Sequence, residues 1–146
     1  MSKDESILSK KFCRHASIED QKMLSIRLGF VWMEDIQDWD LVFSDSERLE
    51  EFVKIYKTED LNDSQKFALM ELIVASFDDL VQFKGDFGDR SNLWNECKHI
   101  LIHECWLHIC TILYWCLLEK SDLEDSFPIT KFMRPIWEEV KLSFLG

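Results

Sequence analysis

Apolar residues recur along this chain with a helical period, and the period predicts its elements. The clearest set is Phe67, Met70, Ile73, Val74, Phe77, Leu80 and Val81. On a helical wheel these positions cover less than half the circumference, with Glu71, Ala75, Asp78, Asp79 and Gln82 on the other side. Asn62 with Gln65 offers a reciprocal cap at one end and Gly85 a terminator at the other, so a helix is predicted from Asn62 to about Phe83. Leu49, Phe52, Val53 and Tyr56 fall at i, i+3, i+4, i+7 and predict a shorter amphipathic helix, which Ser44 and Glu47 would cap.

The flanks are less regular. Ser17 and Asp20 form an S-x-x-D box that should start a short helix. Leu24, Ile26, Leu28 and Phe30 alternate as a strand would, but no partner strand is evident, and a helix is expected there. Residues 30–45, FVWMEDIQDWDLVFSD, have no clean period and read as an irregular connection or a short helix. Between 91 and 118 there are two stripes of different phase: Leu93, Cys97, Ile100 and Leu101, then Ile109, Ile112, Leu113, Cys116 and Leu117. One straight helix would sink Glu104 and His108 into the core, and an unpaired buried carboxylate is costly. A bend near 103–107 avoids that cost and predicts two antiparallel helices, with a continuous helix as the alternative. Pro128 and Pro135 suit the first turns of short helices whose Phe132, Ile136, Trp137, Val140 and Phe144 close the core. The expected fold is all-α, an irregular single-domain bundle of about six helices over 1–146, with 1–15 a loose basic tail.

Composition removes most other classes. A 146-residue chain that is 47% hydrophobic can bury one core and is not disordered. Four Gly and two Pro are too few for a loop-rich all-β fold. The longest apolar stretch, 105–118, is interrupted by His108 and Thr111 and falls short of the ~20 residues of a membrane helix. No signal-peptide pattern opens the chain. Its five cysteines are an odd number, four of them in one predicted helical region, so free thiols and a cytoplasmic location are expected.

Charge adds direction. The chain carries 28 acids against 17 bases, but residues 1–27 hold six bases and four acids. The remainder therefore holds 24 of the acids and 11 of the bases. That sign opposes direct binding of nucleic acid or of an anionic membrane. Two readings remain open, a merely solvated acidic surface and electrostatic steering toward a basic partner. Residues 34–51 concentrate eight acids (Glu34, Asp35, Asp38, Asp40, Asp45, Glu47, Glu50, Glu51) against the single Arg48, with Trp32 and Trp39 in or beside the run. Acids joined by aromatics are what a hot spot for a basic protein requires. The expected contacts are Glu34, Asp35, Asp38, Trp39 and Asp40, with Asp78, Asp79, Asp86 and Asp89 as a second patch.

Catalytic and metal chemistry find less support. Glu96 and His99 make one E-x-x-H, half of a di-iron motif whose second half is missing. His99 and His103 share a helical face and could bind zinc together, and Cys97, Cys105, His108 and Cys110 lie close in sequence. Yet there is no C-x-x-C, and His103 and His108 are about 140° apart on a straight helix. A metal-binding helical protein using Glu96, His99 and His103 is the alternative reading, and an acidic helical adaptor is a third. No G-x-S-x-G, phosphate loop or S-x-x-K is present, and cysteines on core stripes are poor nucleophiles, so neither an enzyme nor a cofactor is expected.

The segment LNDSQKFALMELIVASFDD at 61–79, with Trp94, Leu107-His108, Tyr114-Trp115 and 127–134, carries a resemblance. Over 49–137 the chain resembles the small helical immunity proteins of bacterial polymorphic-toxin and contact-dependent inhibition systems. That resemblance implies a cytoplasmic, non-enzymatic inhibitor of one cognate toxin domain. Such toxins are often nucleases, with basic clefts that must hold phosphates.

Overall fold

The computed structural model describes residues 14–120 and 122–145, the last by its backbone alone. Most of the expected basic tail, and Cys13 with it, lies outside the described residues. Among the described residues there are eight α-helices, three short 3-10 turns and no strand. The count exceeds expectation because a five-residue and a four-residue helix flank the long ones. No described helix is long and apolar enough to cross a membrane. The packing divides into two compact units, His15–Leu80 and Val81–Gly146, the latter joined by Arg14.

The first unit begins with α1 (Ile18–Leu28). Ser17 caps it as expected, with Oγ accepting from the Asp20 N–H at 3.0 Å and donating to the Asp20 carboxylate at 2.8 Å. After α2 (Trp39–Phe43) comes α3 (Leu49–Thr58), which buries Leu49, Phe52, Val53 and Tyr56 as its period predicts, and Ile55 besides. Ser44 is not its cap. Asp45 instead accepts from the Glu47 N–H at 2.9 Å and opens a 3-10 turn (Ser46–Arg48) leading into α3. A second bond explains the choice: the Asp45 N–H donates to Ser76 Oγ at 3.0 Å, and Ser76 in turn donates to the Leu72 carbonyl. Asp45 is thereby fixed on the long helix, and the shorter reach of its own carboxylate does the capping.

That long helix is α4 (Asp63–Lys84), and its reciprocal cap forms as predicted. Gln65 N–H donates to Asn62 Oδ1 at 2.8 Å, and Asn62 N–H donates to Gln65 Oε1 at 3.0 Å. Gly85 ends it at φ 83°, donating its N–H to the Val81 carbonyl. The predicted polar side is wrong, however. From 67 to 81 every residue is buried except Glu71 and Asp79, which are half-buried. Leu69, Leu72, Ala75 and Ser76 all lie on that side, and a helix apolar around most of its circumference belongs in the interior.

In the second unit α5 (Ser91–His103) and α6 (Cys105–Cys116) are separated by the expected break, at Glu104. It is one residue long, shorter than the loops of about two to five residues that join the helices of an antiparallel hairpin. Glu104 stays half-buried, but His108 is fully buried, against expectation. The cause is that α6 is covered on most sides, burying Cys105, Ile109, Thr111, Ile112, Leu113, Trp115 and Cys116 as well. An imidazole has a neutral form and tolerates such a position better than a carboxylate.

The final helices are α7 (Thr130–Val140) and α8 (Leu142–Leu145). Pro135 lies inside α7 and not in its first turn. The carbonyl that loses its partner is that of Lys131, and both residues are exposed, so water can take its place. What holds α7 is its grip on the end of α6. Thr130 Oγ1 donates to the Trp115 carbonyl at 2.8 Å while accepting from the Phe127 N–H at 3.1 Å. The Arg134 guanidinium donates to the carbonyls of Cys116 and Leu117 at 2.9 Å each and of Lys120 at 2.6 Å. Leu117 is left-handed (φ 45°), a conformation that a bulky residue adopts only where its surroundings enforce it. Arg134→Met keeps the side-chain stem and removes these charged donors. It should lower stability by about 1.5–3 kcal/mol, read as a fall in the urea midpoint at unchanged slope.

Candidate functional site

The candidate site lies in the first unit, on the segment between α1 and α3. Gly29 ends α1 in the left-handed region (φ 78°), and the Phe30 N–H closes the turn on the Ser25 carbonyl at 2.8 Å. The chain then leaves and returns at Phe43, whose ring stacks on that of Phe30 with centroids 4.4 Å apart and planes 5° apart. The ends of 30–43 are thus held together, which makes the segment an Ω-loop. Trp39 fills its inside. The indole is buried, its N–H donates to Ser25 Oγ at 2.8 Å, and Ser25 donates onward to the Gln21 carbonyl. Edge-on contacts with Phe30 and Phe43 complete the packing.

The acidic residues divide by what this packing does to them. Glu34, Asp35 and Asp38 are exposed and pair with no cation among the described residues. Asp35 and Asp38 have positive φ, 61° and 54°, which short polar side chains adopt more readily than others. The Asp38 carbonyl accepts from the N–H groups of Leu41 and Val42 at 2.9 Å each, starting α2, and its carboxylate makes no cap. Asp40 is half-buried, and desolvation raises its pKa, opposed by backbone N–H groups and helped by the charge of Asp38. Glu71, half-buried on α4, is pushed up to about 8 by burial and then by the charge of Asp40.

Arg48, the one base in the 34–51 run, does not offset these charges. Its guanidinium donates to both Glu51 carboxylate oxygens at 2.8 Å and to the Leu28 carbonyl at 2.8 Å. It also lies 5.3 Å from the ring centroids of both Phe30 and Phe52. The pairing raises the Arg48 pKa and lowers that of Glu51. Arg27 likewise pairs with Glu59.

Several expected contacts change role. Trp39 is a core residue and not a surface anchor. Asp78 is buried and Asp79 half-buried on α4, while Asp86 and Asp89 are exposed in the second unit, so the second patch is not presented as one surface of either unit. Asp86 is used locally, accepting from the Gly88 N–H at 2.9 Å. In place of Trp39 the loop exposes aliphatic side chains that the sequence reading passed over: Val31, Met33, Leu41 and Val42. Their only signal was the absence of any period between 30 and 45. The burial of Glu71 was signalled by its neighbours, since Met70 and Leu72–Val74 enclose it on both sides.

The histidine–cysteine cluster is dispersed. Cys97, Cys105 and Cys116 are buried, Cys110 is half-buried, and all four are free thiols. Burial pushes the Cys97 and Cys105 thiols up, away from nucleophilic thiolate. Glu96, His99 and His103 are exposed on α5, and the two imidazole rings lie 4.0 Å apart. Among the described residues no three His, Cys, Asp or Glu side chains are placed to hold one ion.

The chain matches no family model, no curated protein and no solved structure.

The raised Glu71 pKa carries a prediction with a definite sign. Below about pH 4.5 the carboxyl is protonated in both folded and unfolded chains. As pH rises to about 8 the unfolded chain ionises while the folded one keeps its proton, so stability falls across that window and levels off above it. Glu71→Gln removes this loss. Its melting temperature relative to wild type should climb between pH 5 and pH 8, whereas a constant offset would refute the assignment.

Proposed function

We propose that this chain is an immunity protein that binds and neutralises a basic protein toxin, a nuclease in the simplest case. The supporting observation is where the charge sits. Between 15 and 80 there are sixteen acids and six bases, Arg27 and Arg48 are taken up by internal pairs, and Glu34, Asp35 and Asp38 stand exposed on one closed loop. An exposed acidic surface suits a cleft that evolved to hold phosphates, and charge steers the encounter. The resemblance of 49–137 to small helical immunity proteins supports the same reading. Inhibition then needs no chemistry from this chain, and its cytoplasmic site of action is the compartment where such a toxin would strike.

A metal-binding helical protein is the second reading, favoured by the His99–His103 ring pair. Two imidazoles on one helix face supply half of a tetrahedral zinc shell. Metal analysis of protein purified without an affinity tag separates the two, because near-stoichiometric zinc or iron belongs only to the second.

The direct test is capture from the source cell with this chain as bait. One basic partner should come away with salt or denaturant, and expressed alone it should stop growth until this chain is co-expressed. A partner that is harmless when freed would refute the proposal.

A further inference from the structure

We infer that the outer face of the 30–43 loop docks a basic amphipathic protein segment, one that brings aliphatic or aromatic side chains flanked by Lys or Arg. This rests on the reading above and names the surface and the chemistry of its partner. Val31 is 77% exposed, Met33 52%, Leu41 46% and Val42 51%. Scattered apolar residues on a surface need no explanation, but these four belong to one short closed loop. Val31 and Val42 are the chain neighbours of the stacked Phe30 and Phe43 that close the loop, and Leu41 adjoins Val42 on α2. None of the four is needed inside, because Phe30, Trp39 and Phe43 already fill the loop.

The acids decide what covers this face. Glu34, Asp35 and Asp38 lie within the same fourteen residues and have no cation among the described residues, since Arg48 is held against Phe30, Phe52, Glu51 and the Leu28 carbonyl. A second copy of this chain would set carboxylates against carboxylates, which is unfavourable. Nucleic acid and anionic membrane carry the same wrong sign. Exposed apolar side chains and exposed acids with no cation among the described residues, carried together on one short loop, fit a segment of apolar side chains between cationic ones, the apolar contact supplying affinity and the charges the encounter rate. The loop is also pre-organised by Trp39, so little ordering entropy is lost on docking.

The test titrates the full-length protein calorimetrically with two synthetic peptides of equal positive charge. One is a helical Leu/Lys amphipath, and the other carries Gln in place of every Leu. Wild type should bind the Leu peptide at least tenfold tighter than the Gln peptide. Val31→Ser/Met33→Ser/Leu41→Ser should erase that preference and keep the salt dependence. Glu34→Gln/Asp35→Asn/Asp38→Asn should weaken both peptides and flatten the salt dependence, with Asn retained where φ is positive. Should the serine variant melt early, the nearly isosteric Val42→Thr should still reduce the preference. Equal binding of the two peptides by wild type, or full preference in the variants, overturns the inference. So does self-association of the wild type that the serine substitutions abolish, which would assign the face to a second copy. These outcomes are separable from the function: a captured toxin that binds the loop variants normally removes the loop and keeps the immunity reading. Loop-dependent peptide binding with no toxin removes the immunity reading alone.

Discussion

The burial of Trp39 beneath its own loop is the constraint on which the candidate site depends. Its indole N–H ends on Ser25 Oγ, one turn before the end of α1, so the loop is bound to the helix it leaves. A buried aromatic with its polar atom satisfied gives both the area and the orientation. Phe30 and Phe43 close the loop around it, and Val31, Met33, Glu34, Asp35, Asp38, Leu41 and Val42 are left exposed. The outward surface is therefore a consequence of the inward one.

Arg48 completes that logic from the other side. A guanidinium in an acidic run would ordinarily neutralise it. Here two aromatic faces, a helix-end carbonyl and one nearby carboxylate hold the guanidinium, and the loop keeps its charge. Glu71 shows the opposite treatment of a carboxylate: buried on α4 and pressed by Asp40, it keeps its proton near neutral pH. The charge a partner meets is thus set by packing and not by composition. The proposed docking role rests on this separation of the buried Glu71 from the exposed Glu34, Asp35 and Asp38.

Much of the fold was legible in the sequence because local signals carried it. The Ser17–Asp20 and Asn62–Gln65 caps, the Gly85 terminator and the stripe of α3 depend on neighbours within one or two turns, and each forms as read. The errors arose where a distant contact decided. Ser76 drew Asp45 into the cap that Ser44 was expected to provide, and the interior reached round α4 to cover Ala75 and Asp78. Trp39 illustrates the limit for the site. A tryptophan among acids reads as an exposed anchor, and only the partner Ser25, fourteen residues away, shows that it faces inward. The exposed aliphatics beside it carried no periodic signal at all.

The most direct measurement of the account is the rate at which this chain associates with its captured basic partner, followed by stopped flow as ionic strength rises. Wild type should associate fast at low salt and slow steeply as salt screens the loop. Glu34→Gln/Asp35→Asn/Asp38→Asn should associate more slowly at low salt and depend on salt far less. The same rate and salt slope in both proteins would contradict the claim that this loop's charge guides the encounter.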